Sequence, residues 1–439
     1  MNNFFSILNK IFPLSANAAL NIIMRLIIVS MITNIHPNYK ECGSHILVIL
    51  GILNLTYFFS IGSSIRTKIY EHEKNKEDLL LTTLLSSLTL SMGIGLVTSL
   101  FSYFAIHPIL TLFAQPTNVI EYTTYFFKCF SFCIIPNALF QSLQQIYIGL
   151  NHSYIVIIVN LFSSLGTLLS LYLLIKCSIL INPLDIKFAY PFLFYGLFGI
   201  VILFFILHKK FRFHYNQMVK SFTYITEMKT LFKISMPFCV QNIHGNFVHF
   251  SHILVIGMLV PHLLTAYHIF MQYNLIIFIV ILGGVQAFGL DSLHPILKRN
   301  YNELIYKTKN FIKVFLFILT LIGIFYFIKI LNHINIHHYF IMNRYDLWIS
   351  YGIAFIAFII FLVRNSLIIS LTNLGDPILP AMTATVMSIG VGLPLSMYLS
   401  HIIMYPIVGL HLGIIIHYTL TTVILSFRFK NKWKIYSII

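Results

Sequence analysis

Acidic residues are scarce in this chain: 12 Asp and Glu stand among 439 residues, against 28 Lys and Arg. All charged types together make up 9%, where an ordinary soluble domain carries about 25%, so a water-soluble fold of this size is excluded. Cysteine is rare as well. Of the five, Cys129 and Cys133 lie one helical turn apart inside an apolar run, and Cys42, Cys177 and Cys239 form no metal or redox spacing. Also missing are a Gly-rich phosphate loop, an HExxH pair, acids paired at membrane depth and a Ser/His/Asp set with acids where they could act. These absences argue against an enzyme, and no cofactor is expected.

What the chain does have is apolar sequence. Hydrophobic residues make up 58%, with 41 Phe and 25 Tyr, and apolar runs long enough to cross a hydrocarbon layer of about 30 Å recur from end to end. About twelve spans are predicted, with cores near 11–35, 45–66, 79–106, 122–147, 154–175, 188–208, 234–260, 263–290, 310–331, 347–372, 378–401 and 406–427. Ala16-Asn17-Ala18 looks like a signal-peptidase site, but Lys10 interrupts the apolar core it would need and the run continues to Ile35, so the first stretch is read as a span. The longest charged interval, His208 to Lys233, is too short to build a soluble domain. The fold class is therefore all-α, a polytopic membrane protein.

The net charge of +16 takes its meaning from where the cations fall. With the N-terminus cytoplasmic, 20 of the 28 Lys and Arg lie in cytoplasmic segments, and Arg25, Lys128 and Arg364 fall inside spans. That bias places both termini inside and fits an even number of crossings. The basic loops then read as topology determinants facing anionic membrane lipid, with no nucleic acid partner.

Self-similarity is the strongest internal signal. Pro13 opens the first span and Pro237 the seventh, an offset of 224. At the same offset Ile146 to Ser153 aligns with Ser370 to Pro377, each a short polar turn between apolar runs, and Gly62 and Gly289 end the second and eighth spans at an offset of 227. The chain reads as two six-helix lobes, 1–208 and 234–439, the second with a basic C-terminal tail, joined by a basic cytoplasmic linker at 209–233. Paired repeats of this kind belong to alternating-access carriers.

These residues resemble the multidrug and toxic compound extrusion (MATE) transporters. That family shows a proline near the start of spans one and seven, a glycine ending spans two and eight before a charged loop, and a Gly-Leu-Gly-Asp-like turn after spans four and ten. Pro13, Pro237, Gly62, Gly289, Gly149-Leu150-Asn151 and Asn373-Leu374-Gly375-Asp376-Pro377 match those features, and Asn160 resembles the span-five asparagine. The resemblance implies a MATE-like fold of two pseudo-symmetric lobes and a multi-pass carrier of the cell inner membrane. Flippases for lipid-linked sugars, in the same superfamily, share the topology.

The chain departs from the family where cation coupling is concerned. The acidic residues that the resemblance leads one to expect within spans one, seven or ten are missing, and all twelve acids fall in loops or at span ends. Basic and neutral polar groups stand there instead. Asn17, Asn21 and Arg25 share one face of span one at i, i+4 and i+8, and Arg364 and Asn365 lie in mid-span ten. An intramembrane arginine points to a water-filled cavity or a structural partner. Span seven carries Gln241, Asn242, His244, Asn246, His249 and His252, of which Gln241, His249 and His252 fall within about one quadrant. Histidine titrates near physiological pH, so these are the candidates for proton coupling, although polar side chains in bundles often serve only to bond helices together. Gln141, Gln144 and Gln145 of span four, Asn160 of span five and Gln272 and Asn274 of span eight are candidates for lining the substrate path. Pro136 and Pro394 mark candidate bends.

The sequence thus predicts a carrier that exports a small amphiphilic solute by antiport against protons, with His249, His252, His244 and Gln241 in coupling roles and Arg25 and Arg364 setting charge selectivity. Two alternatives stay open. A positive pathway attracts anions, which suits a flippase for an anionic lipid-linked saccharide. The lost carboxylates also suit a degenerate homologue that no longer transports.

Overall fold

The computed structural model describes residues 77–113, 115–150, 152–176, 189–211, 225–233, 298–336, 344–403 and 405–438, with shorter pieces at 16–17, 20, 23–24, 27, 31, 46, 49, 235–236, 251–256 and between 267 and 296. Ten α-helices can be delimited. They are α1 (Glu77–Phe104), α2 (Ile106–Leu112), α3 (Thr117–Gly149), α4 (Ser153–Lys176), α5 (Ala189–Phe211), α6 (Tyr301–Ile336), α7 (Arg344–Asn373), α8 (Ile378–Val386), α9 (Leu393–Ile402) and α10 (Pro406–Ile438). A π-helical turn, Met387–Gly392, joins α8 to α9 so that 378–402 runs as one interrupted rod. Among the described residues, seven such rods are long and apolar enough to cross a membrane. Their exteriors are bare hydrocarbon: Val97, Phe104, Phe162, Phe205 and Phe427 are all exposed, which suits lipid as the surrounding solvent.

The helix ends match the spans read from sequence closely, with two extensions. α6 begins at Tyr301 rather than near 310, and α10 runs on to Ile438 rather than stopping near 427. Both additions are rich in lysine, which lowers hydropathy but propagates a helix well. Hydropathy locates the edge of the hydrocarbon, whereas the backbone bonds continue beyond it.

Contacts divide the described helices between two compact units. The first holds α1 to α5. There α3 is central, packed on α1 and α5, with α4 lying on α5. Ser99 Oγ of α1 donates to the Ser131 carbonyl at 2.8 Å, and Tyr147 Oη of α3 donates to the Leu203 carbonyl of α5 at 2.8 Å. The helical stretch 225–233 belongs to this unit too: Leu231 is buried, and Thr83 Oγ1 donates to Glu227 Oε1 at 3.1 Å.

The second unit holds α6 to α10, together with Asn17 and the helical residues 251–256. Here α7 packs along α10, and α9 lies close against α10. The α9–α10 approach depends on glycine. A Cβ at Gly409 would stand 2.5 Å from the backbone of Leu399 and Ser400, and Gly409 and Gly413 form the small-xxx-small pattern that lets membrane helices touch backbone to backbone. Ser396 Oγ crosses this seam to the Leu410 carbonyl at 3.0 Å. The π turn ends two residues before Pro394, whose missing N–H releases a carbonyl of the preceding turn and favours a local change of helical pitch there.

The 224-residue repeat reappears in the backbone. α1 begins at 77 and α6 at 301, while α3 ends at 149 and α7 at 373. The turns that follow close in the same way. Leu150 N–H donates to the Ile146 carbonyl and His152 N–H to the Tyr147 carbonyl; at the shifted positions Leu374 N–H donates to Ser370 and Asp376 N–H to Leu371. Gly375 stands in the second turn with φ +78°, a left-handed conformation that only glycine adopts without strain.

Candidate functional site

In the first unit, the polar side chains predicted on spans four and five lie in the interior. Gln141, Gln144 and Gln145 run along one stripe of α3 and are buried, and Asn137, which the sequence did not single out, lies buried on the same stripe. Asn160 of α4 is fully buried and accepts a hydrogen bond from Tyr195 Oη of α5 at 2.6 Å. The Tyr195 ring also meets Phe140 edge to face, with centroids 5.1 Å apart. Tyr195 thus links Asn160 of α4 to Phe140 of α3. Both polar atoms of the Gln145 amide lack a hydrogen-bond partner among the described residues.

In the second unit, Arg364 lies at the middle of α7 and is 2% exposed. Its guanidinium carbon sits 4.8 Å from the centre of the Tyr418 ring of α10, a cation–π contact that strengthens when water is excluded. Tyr418 in turn meets Phe361 at a tilt and His417 edge to face, at 5.4 Å and 4.5 Å between centroids. The neighbouring Asn365 is buried and donates through Nδ2 to the Phe361 carbonyl at 2.8 Å. At the 224 offset Arg364 corresponds to Phe140 and Asn365 to Gln141. One unit places a phenyl ring against a tyrosine, and the other places a guanidinium on one.

Two buried histidines of α10 were not anticipated. His411 Nδ1 donates to the Ile407 carbonyl at 2.8 Å and His417 Nδ1 to the Gly413 carbonyl at 3.1 Å, since a carbonyl can only accept. His417 packs on Gly392 at the end of the π turn, where a Cβ would come within 2.5 Å of its ring. Their signal in the sequence is Gly409-x-His411-x-Gly413 and His417 inside an apolar run, a weak one because span twelve lacks the density of polar residues seen in span seven.

Among the coupling candidates, His252 is described: it is helical and fully buried. Asn17 is likewise buried. Gln241, His244, His249, Asn246, Asn21, Arg25 and Gln272, and the motif residues Pro13, Gly62 and Pro237, lie outside the described residues. Lys128 is exposed in the first half of α3, its ammonium 5.8 Å from the centre of the Tyr103 ring, a cation–π contact.

The family-motif residues of the second unit form a structural knot. Asn373 Nδ2 donates to the Gly289 carbonyl and to Ser292 Oγ, both at 3.0 Å. Gly149 occupies the corresponding buried end of α3. Asp376, just after the left-handed Gly375, accepts from Arg428 Nε at 2.8 Å and so ties the turn to α10. Among the described residues no cluster of His, Cys, Asp and Glu converges in a way that could hold a metal.

The comparisons with known proteins agree with this architecture. The MatE family model matches residues 13–173. No curated protein matches the chain by sequence. Solved structures do match across its length. An outward-facing multidrug resistance MATE family transporter of the MOP superfamily aligns at 13% identity and TM-score 0.80, covering 98% of this chain and 96% of that one. The eukaryotic MATE transporter AtDTX14 aligns at 13% and 0.76, covering 99% of both, and a mutant of the Vibrio cholerae MATE transporter VcmN at 12% and 0.76, covering 98% of both. The MatE family model thus matches the first part of the chain, and the chain as a whole has the fold of the MATE transporters.

Proposed function

We propose that this chain is a secondary active exporter of an amphiphilic organic solute, working by alternating access and proton antiport in the cell inner membrane. The observation that carries the reading is the contrast between a hydrocarbon exterior and an interior that buries Asn17, Gln141, Gln145, Asn160, His252, Arg364 and Asn365. Burying such groups in a membrane fold is costly, and selection retains them where they serve a pathway. With carboxylates missing from the spans, histidine is the intramembrane residue type able to load and release a proton near neutral pH. His252, with His249, His244 and Gln241, is assigned that role.

Arg364 favours a second reading. A buried guanidinium resting on Tyr418 is suited to holding an anionic group and repels a cation. That is the property of a flippase for an anionic lipid-linked saccharide. Proteoliposomes under an imposed pH gradient, given a cationic dye or an anionic dye, separate the readings. The exporter moves the cation in a gradient-dependent way that His249→Ala and His252→Ala lose. Movement of the anion alone, kept in the histidine variants and lost in Arg25→Ala and Arg364→Ala, transfers the assignment to the flippase. Movement of neither dye, in a preparation that is folded, favours the degenerate homologue.

A further inference from the structure

A cationic surface is assembled where the start of α6 meets the end of α10. The two helix ends are joined by aromatic packing: Tyr301 and Trp433 lie 5.0 Å apart between ring centres, and Trp433 is buried with Ile296, Leu304 and Leu374, with Phe429 against them. From Asp291 to Lys313 and from Asp376 to Lys434 the chain carries nine basic and three acidic residues. Two of those acids are already engaged, Glu303 with Lys307 at 3.1 Å and Asp376 with Arg428 at 2.8 Å. Lys298 and Arg299 stand exposed just before Tyr301, and Lys430 and Lys434, also exposed, flank Trp433.

The exposed faces of both helices change character in the same manner. On α6 one stripe reads Tyr306, Lys309, Lys313, Phe317, Leu321, Ile324, at spacings of three and four, all exposed, with Phe317 54% exposed. On α10 the stripe reads Val423, Phe427, Lys430, Lys434, with Phe427 68% exposed. Each passes from bare hydrocarbon to lysine within a single turn. At a rise of about 1.5 Å per residue, Lys430 stands about 5 Å beyond Phe427 and Lys434 about 10 Å beyond it. Cations that follow hydrocarbon so closely on one stripe, with tyrosines beside them, form the pattern of a membrane interface.

The backbone adds an independent sign. Arg299 has φ +53°, a left-handed conformation that disfavours a non-glycine residue. It is held there by Arg299 N–H donating to the Ile296 carbonyl at 3.0 Å and Asn300 N–H to the Pro295 carbonyl at 2.9 Å. Glycine would take this position without strain, and the side chain is exposed, so core packing does not explain an arginine here.

We propose that the surface around the Tyr301–Trp433 contact, with Lys298, Arg299, Lys430 and Lys434 beside it and Lys309 and Lys313 further along α6, binds the phosphate headgroups of anionic phospholipids. The partner is lipid and not a soluble anion because the cations adjoin exposed hydrocarbon on the same helical stripes. A lipid seated there places its phosphate among the lysines and its acyl chains along Phe317, Leu321 and Phe427.

Spin-labelled lipid exchange on the full chain in bilayers tests this. Acyl-labelled phosphatidylglycerol is compared with phosphatidylcholine for the fraction slowed at the protein surface. The expected result is about a threefold preference for phosphatidylglycerol at low salt, falling towards equality in 1 M NaCl. Changing Lys298, Arg299, Lys430 and Lys434 together to Ala removes the preference, and changing the three lysines to Arg keeps it. Arg299→Gly alone weakens the preference while the thermal midpoint is unchanged or higher. Excess soluble glycerol phosphate leaves it intact, which separates a lipid site from a phosphate site. Equal affinity for both lipids in the parent, displacement by glycerol phosphate, or a preference undiminished in the Ala variant overturns the proposal.

Discussion

Under the proposed function, Arg364 is the residue that separates a cationic from an anionic cargo. Its presence in mid-span was legible from the sequence, but its partner was not, because Tyr418 lies 54 positions away in a chain with 25 tyrosines. Packing of α7 along α10 makes the pair. Burying a cation carries a desolvation penalty that an apolar side chain of similar volume does not. Arg364→Met is therefore expected to leave the thermal midpoint in detergent unchanged or raised while abolishing any movement of anionic substrate. Arg364→Lys is expected to fail as a rescue, since an ammonium lacks the planar face that rests on the ring. A large fall in midpoint for Arg364→Met would instead make the arginine a structural tie. The histidines were less accessible to reading: they cluster visibly in span seven, yet His411 and His417 of α10 are buried as His252 is.

At the scale of elements, hydrophobic periodicity located the rods well and described their interiors poorly. The π turn at Met387–Gly392 leaves no hydropathy signal, because it alters the hydrogen-bond spacing and not the polarity. The close seam of α9 and α10 follows from Gly409 and Gly413, a pattern that was available in the sequence but is meaningful only once a facing helix is known. Gly409→Ala is expected to destabilise the protein by about 1–3 kcal/mol in a thermal unfolding series, because its Cβ would strike backbone that cannot rotate aside. Gly390→Ala is the matched control. A Cβ there meets nothing within 4 Å, and its cost should stay within about 0.5 kcal/mol. Equal costs at the two positions would show that the seam is not as tight as drawn.

Across the whole molecule the repeat was the most informative reading. An offset of 224 found in a proline and a short turn recurs in the starts of α1 and α6, in the ends of α3 and α7, and in the two hydrogen bonds that close each following turn. Those features survive because turn geometry and helix length constrain few residue types, so sequence can drift while the backbone does not. Solved MATE transporters at 12–14% identity match the chain from end to end for the same reason. Chemistry is less tightly bound to fold. The spans lack the carboxylates expected from the family resemblance and bury arginine, amides and histidine. Whether proton movement is tied to solute movement is the central claim, and a direct measurement is available. A pH-sensitive dye is trapped in proteoliposomes holding the full chain, and a cationic amphiphile is added outside with no gradient imposed. Antiport predicts that uptake of the amphiphile drives protons out, so the lumen turns alkaline in step with it, and that His252→Ala abolishes both. Uptake that leaves luminal pH unchanged would contradict the account.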